Sequence, residues 1–218
     1  MAAWPGSIGY VNSVDEITSL YRDVWYEFAK RAMDIVLATL LLALLAPLMA
    51  VCMIMIRRSS PGAALIRQKR LGRHGRVFNM LKLRTMTADA EAATGAVLAA
   101  ANDRRIIPAC RWMRLSHVDE LPQLVNVLRG DMSLVGPRPE RPEIASQIYA
   151  ELPEFRHRLQ VRPGITGLAQ IRNGYDTCRE AVRRKLHYDL EYIRRRSWLL
   201  ELGILLMTFT KLYDSSAR

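Results

Sequence analysis

Cysteine is scarce: Cys52, Cys110 and Cys178 are the only three in 218 residues. An odd count at wide spacing fits neither a disulfide framework nor a zinc site, and points to a reducing compartment. Acid is also in deficit. Lysine and arginine total 32 against 21 aspartates and glutamates, a formal net charge of +11. Such an excess calls for a polyanionic partner: nucleic acid, anionic lipid or a phosphorylated substrate. A small-residue cleavage site is lacking after the one long apolar run, so a removable signal peptide is not expected.

That apolar run is the first positive feature. Residues 33–56 read "MDIVLATLLLALLAPLMAVCMIMI", with Asp34 the sole charge. Such a length crosses a bilayer as a tilted helix. Pro47 interrupts it, removing a backbone hydrogen bond and bending the helix. Lys30 and Arg31 precede the run and Arg57 and Arg58 follow it. Cytoplasmic flanks attract positive charge. Two topologies follow: a re-entrant segment that dips in, bends at Pro47 and returns, or a kinked single-pass anchor, since such helices tolerate proline.

Residues 61–86 suggest a cation-rich hairpin. Pro61-Gly62 reads as a turn. Leu81 and Leu83 alternate with Lys82 and Arg84, and Gly72 and Gly75 bracket a basic loop between two strands. A Gly-x-x-Gly loop also clamps nucleic-acid backbone. Residues 88–101 are alanine-rich and carry no assigned role; Asn102-Asp103 reads as a cap for the next helix.

"HVDELPQLVNVLRG", residues 117–130, places Asp119 and Glu120 before an apolar helical stripe of Leu121, Leu124, Val125 and Leu128. Pro122 belongs in a first turn and Gly130 is a stop, so a helix is expected from about Asp119. Acids there satisfy free N–H groups and the helix dipole. The same placement keeps a carboxylate ionised and able to act as a nucleophile, with a neighbouring Glu able to hold a divalent ion. Downstream, Pro137, Pro139 and Pro142 stiffen a loop that presents Arg138 and Arg141. A stiff arginine meets two phosphate oxygens at once. In "VRPGITGLAQIRNGY", residues 161–175, Gly164, Gly167 and Gly174 permit close approach to a ligand, and Arg162 and Arg172 add charge. Together these loops point to phosphoryl transfer at a membrane surface.

The order "KRAMDIVLATLLLALLAPL", "RQKRLGRHGRVFNMLKLRTM", "SHVDELPQLVNVLRGDMSLVGPRP" and "RPGITGLAQI" resembles the bacterial sugar transferases, the monotopic polyprenyl-phosphate phosphoglycosyl transferases. The resemblance implies transfer of a sugar-1-phosphate from a nucleotide sugar, typically UDP-linked, to a polyprenyl phosphate such as undecaprenyl phosphate. It implies Asp119 as the nucleophile that becomes phosphoglycosylated and Glu120 as a Mg2+ ligand. It also implies Arg114 and Arg138 as phosphate-binding residues, to which the charge of Arg162 is added as a third, and a re-entrant helix broken at Pro47. The expected fold is mainly α with a small β-hairpin, a monotopic membrane protein with interfacial amphipathic helices. Its parts would be an extension at 1–28, a membrane helix at 29–58, a catalytic domain at 59–213 and a tail at 214–218. The extension, with Trp4, Tyr10, Tyr21, Trp25 and Tyr26, reads as an interfacial helix or a contact between copies in a homo-oligomer. Membrane lipid is an expected partner and nucleic acid is not; the inner membrane's cytoplasmic face is the expected location.

Several positions depart from the family's pattern. Ala46 stands where Ser often precedes the membrane proline, and Met33 replaces a common aromatic. His117 sits where a small or apolar residue is usual, and Leu168 replaces a frequent Trp. A stripe of Val182, Leu186, Leu190 and Ile193 leads to the apolar segment 198–213, where Glu201 argues for an interfacial helix over a span. The competing, non-enzymatic reading is a membrane-tethered basic module for nucleic acid or acidic lipid. It accounts for the charge but not for the acid pair or the proline-stiffened arginines.

Overall fold

A computed structural model describes residues 24–87, 90, 103–173 and 179–213. Residues 1–23, the alanine-rich stretch through Asn102, the run after Asn173 and the tail lie outside the described residues, as do the expectations placed on them. Helix α1 (Val24–Ser59) comes first, then a hairpin of β1 (Leu65–Leu71) and β2 (Val77–Leu83). Short helices α2 (Arg111–Leu115) and α3 (Gln123–Arg129) follow, then β3 (Ser133–Val135), α4 (Pro142–Glu151) and β4 (Gly164–Thr166). Helices α5 (Leu168–Arg172), α6 (Arg179–Arg195) and α7 (Trp198–Tyr213) complete the chain.

The hairpin is antiparallel, pairing Leu65 with Leu83 through Leu71 with Val77. The Gly72-x-x-Gly75 run is its turn, closed by the Gly72 N–H donating to the Arg76 carbonyl, with φ +76 at Gly75. The sequence did not foreshadow the second sheet, in which β3 pairs in parallel with β4 (Ser133 with Gly164, Val135 with Thr166). Here the glycines have a use different from the expected ligand approach. A Cβ on Gly164 would overlap the Gly136 backbone nitrogen, and one on Gly167 the Gly136 carbonyl oxygen. The close approach is of chain to chain. Leu168, in the place of the frequent Trp, is buried in the main core with Val135 and Tyr192.

Helix α1 runs as one element through Pro47; the proline does not divide it into two helices. Its buried positions fall at the two ends. Lys30, Asp34 and Ala38 repeat at i, i+4 on one side, and Cys52 and Ile56 do so near the C-terminus. Between them, no residue from 39 to 51 is buried, and Leu40, Leu44 and Val51 are exposed. Both ends grip the same body. Asp34 Oδ1 accepts the Leu134 N–H at 3.1 Å, and Arg31 donates to the Val127 and Leu128 carbonyls at 2.6 and 2.9 Å, closing the end of α3. At the other end Cys52 and Ile56 pack with Leu83, Ile107, Cys110 and Met113. Arg84 donates to the Ser60 and Pro61 carbonyls at 2.7 and 2.6 Å. Cys52 and Cys110 are free thiols.

Helix α7 turns its charge inward and its leucines outward. Glu201, 1 % exposed, accepts from Lys30 Nζ at 2.7 Å and from the hydroxyls of Tyr26 and Tyr192 at 2.9 and 2.7 Å. Leu199, Leu202, Leu206, Met207 and Phe209 are exposed. This inverted pattern suits an apolar surround better than water. Helix α6 instead faces the protein: Leu186 and Ile193 share its buried side with Lys185, Asp189 and Tyr192.

Candidate active site

Asn126 assembles the site. From α3 its Oδ1 accepts the Leu81 N–H and its Nδ2 donates to the Asn79 carbonyl, both at 2.9 Å. A helix side chain thus satisfies the free edge of β2. Lys82, next along that strand, then meets the turn that precedes α3.

His117 opens this turn with left-handed backbone, φ +56, a region that histidine enters more readily than most residues. Its side chain is exposed, and its carbonyl accepts the Glu120 N–H at 3.0 Å. Val118–Glu120 forms a tight 3-10 turn and α3 begins only at Gln123, with Pro122 in the cap position. Neither carboxylate caps the helix. Both acids are buried instead.

Two cations hold Glu120. Its Oε1 accepts from Lys82 Nζ at 2.7 Å and from Arg138 Nη2 at 2.5 Å, and its Oε2 from Arg138 Nη1 at 3.1 Å. Burial alone would raise its pKa, but the Arg138 and Lys82 charges outweigh burial and hold it well below the usual carboxylate range. Asp119 differs. Among the described residues nothing donates a hydrogen bond to its carboxylate. Burial pushes its pKa up to about 6; Lys82 opposes the shift and Glu120 adds to it. Desolvation outweighs the neighbouring cations at Asp119, and a pKa of about 6 still leaves the carboxylate mostly ionised at neutral pH. Burial likewise lowers the pKa of Lys82, against the pull of Glu120.

The structure brings Asp119, Glu120 and Arg138 together, and Arg114 acts on Asp119 as a further cation. Arg114 Nη1 lies 3.4 Å from the Thr85 hydroxyl. The Arg138 side chain remains 37 % exposed, so one edge is open to a second anion. Arg162 is not brought to the acid pair. It donates to the Gly130 carbonyl at 3.2 Å, and the charges acting on it are Arg31, Arg73, Glu27 and Asp34. Lys82 is the site residue to which sequence reasoning gave no role. It showed there only as the polar step in an alternating strand, while its partner lies 38 residues away.

The donor set decides whether Mg2+ fits. No cluster of three or more His, Cys, Asp or Glu side chains occurs among the described residues, so a closed protein cage is not present there. Mg2+ commonly needs only one or two carboxylates when substrate phosphates supply the rest. A carboxylate has about four lone-pair sites. Three acceptor contacts on Glu120 leave room on Oε2, and Asp119 is unpaired; the residues fit.

The bacterial sugar transferase profile matches residues 25–215, most of the chain. The chain belongs to the bacterial sugar transferase family. Among its relatives, this sugar transferase is 44 % identical over 189 residues to "UDP-glucose:undecaprenyl-phosphate glucose-1-phosphate transferase" of Caulobacter vibrioides, covering 85 % of this chain and 70 % of that protein. It is 38 % identical over 194 residues to "UDP-N-acetylgalactosamine-undecaprenyl-phosphate N-acetylgalactosaminephosphotransferase" of Aeromonas hydrophila, covering 89 % of this chain and 46 % of that one. "Exopolysaccharide production protein PSS" of Rhizobium leguminosarum is 36 % identical over 184 residues, with 82 % and 92 % covered. The chain thus spans under half of the Aeromonas relative and nearly all of the Rhizobium one.

Proposed function

We propose that this sugar transferase moves a sugar-1-phosphate from a UDP-sugar to undecaprenyl phosphate at the cytoplasmic face of the inner membrane, starting exopolysaccharide or other glycan assembly. The observation that carries the reading is an unpaired buried carboxylate, Asp119, set beside three cations and a second carboxylate. That arrangement suits nucleophilic attack on a phosphate whose negative charge must be balanced. An Asp119 oxygen attacks the sugar-bearing phosphorus, the bond to the bridging oxygen breaks, and UMP leaves with that oxygen. An oxygen of the polyprenyl phosphate then attacks the same phosphorus, and the Asp119 carboxylate departs. Arg138 and Arg114 neutralise the transferring phosphate in both steps. Lys82 holds Glu120 in place while lowering the Asp119 pKa toward the ionised, reactive form. Glu120 Oε2 and the diphosphate would hold Mg2+, which when bound screens phosphate charge. Purified protein in detergent, given a panel of UDP-sugars and undecaprenyl phosphate, should release UMP with at least one donor. No release with any donor overturns the reading.

Glu120→Gln removes the charged oxygen and leaves Lys82 and Arg138 without their shared counter-ion. Activity should fall by about 10²-fold, and partial recovery should require more Mg2+ than wild type. An unchanged Mg2+ titration would leave Glu120 as a partner for cations alone.

The membrane helix is read as re-entrant. A spanning helix places its ends on opposite sides of the bilayer, yet both ends of α1 are held by one domain while most residues from 39 to 51 are exposed and none is buried. Helix α7 exposes further apolar side chains, Leu199, Leu202 and Leu206 among them. Cysteines introduced at the exposed positions Ala29 and Arg58, with Cys178 replaced by Ser, should both react with an impermeant thiol reagent added from the cytoplasmic side. Reaction from opposite sides would establish a single-pass anchor.

A further inference from the structure

The loop that carries Arg138 is held in an unusual way. Pro137 and Pro139 have no N–H, so the loop can be fixed mainly through its carbonyl oxygens. All four from 137 to 140 are taken, one by β4, one by the stretch Pro153–Gln160 and two by β1. The Pro137 carbonyl accepts from Gly164 N of β4 at 3.0 Å. That of Arg138 accepts from Arg158 Nη2 at 2.8 Å, and that of Pro139 from Arg70 Nη1 at 3.0 Å. The Glu140 carbonyl accepts from Leu71 N at 2.9 Å.

Arg158 is the deepest of these donors. It lies 4 % exposed in the 3-10 stretch Pro153–Gln160. Its Nε donates to Asp189 Oδ2 at 2.9 Å, its Nη2 lies 2.7 Å from the same oxygen, and its Nη1 is 3.4 Å from Glu140 Oε1. Lys185, one turn before Asp189 on α6, donates to Glu140 Oε1 at 2.6 Å. Four charges are thus withdrawn from water behind the loop that carries Arg138. Buried ion networks are seldom retained for stability alone, since apolar replacements of similar volume often serve as well or better. A fixed guanidinium fork that reaches a backbone carbonyl supplies what apolar packing cannot: a defined position for the next side chain.

We infer that Arg158 is a positioning residue for Arg138. Locked between Asp189 and Glu140, it sets where the Arg138 guanidinium meets Glu120 and the transferring phosphate. Arg70 is its partner from the hairpin side. The inference rests on the proposed transfer reaction.

The test is a double-mutant cycle on UMP release from the productive UDP-sugar with undecaprenyl phosphate. Arg158→Lys keeps the charge but loses the fork that spans Asp189, Glu140 and the Arg138 carbonyl. It should lower kcat/KM by about 10- to 100-fold. In an Arg138→Ala background, where there is no guanidinium left to position, the same change should cost less than about 3-fold. Arg70→Lys, at a partly buried strand position, should cost about 3- to 10-fold and likewise lose its effect when Arg138 is absent. Equal losses in both backgrounds would make both arginines merely structural and overturn the inference while the transfer reaction stands. Should Arg158→Lys fail to fold, the Arg70 cycle decides alone. Absence of transfer by wild type itself would overturn the reaction and the inference together.

Discussion

Asp119→Asn should abolish turnover, lowering it by about 10³-fold or more, because an amide oxygen is a poor nucleophile and nothing nearby replaces it. The sharper result is obtained without acceptor. Wild-type protein given only its UDP-sugar should release UMP up to about one equivalent and stop, with the sugar phosphate retained on the peptide that contains Asp119. The variant should show neither the burst nor the adduct. The pH dependence has a definite sign. Burial lifts Asp119 to about 6, so the burst rate should fall as pH drops below that value and the carboxyl keeps its proton. Near-normal turnover by Asp119→Asn, or no UMP without acceptor from a donor that otherwise works, would remove the covalent route. Direct attack of the polyprenyl phosphate on the UDP-sugar would then be the better account.

The second large effect concerns stability. Glu201→Gln keeps the shape of a buried side chain but strands the Lys30 ammonium, whose only other acid within reach among the described residues is Asp34 at 3.8 Å. Breaking one side of such a pair costs about 3–5 kcal/mol. For a protein of this size that is roughly a 10 °C fall in Tm, measured in detergent. Replacing both partners, Lys30→Met with Glu201→Leu, should restore part of the loss, since the charges of that pair are gone and Asp34, which then lacks its cation, keeps the Leu134 N–H. If the double variant were as unstable as the single, the two tyrosine hydroxyls on Glu201, rather than the ion pair, would carry the stability.

The hairpin was legible because its information is local: a two-residue alternation and glycines at a turn need no distant partner. The acid pair and the proline-stiffened Arg138 were legible for the same reason, and they meet in the structure. Their surroundings were less so. Lys82 reads as any strand cation until Asn126, a helix residue, docks on β2 and turns it toward Glu120. Glu201 reads as a charge that prevents a span; its meaning depends on Lys30, 171 residues away. The glycines after Arg162 read as room for a ligand, whereas β3 and β4 use that room to bring two backbones into contact. Arg162 itself follows a motif but lies against the end of α3, a placement that only the pairing of β3 with β4 determines.

The double grip on α1 also determines a height. A helix fastened at one end can tilt, rotate or slide in lipid to match bilayer thickness. This one is fastened at Asp34 and again at Ile56 to the body that carries Asp119. On the proposed membrane placement, helix depth and the distance from the lipid surface to Asp119 would therefore be one coordinate, and a lipid-borne phosphate would be met at an elevation set by the protein's own packing.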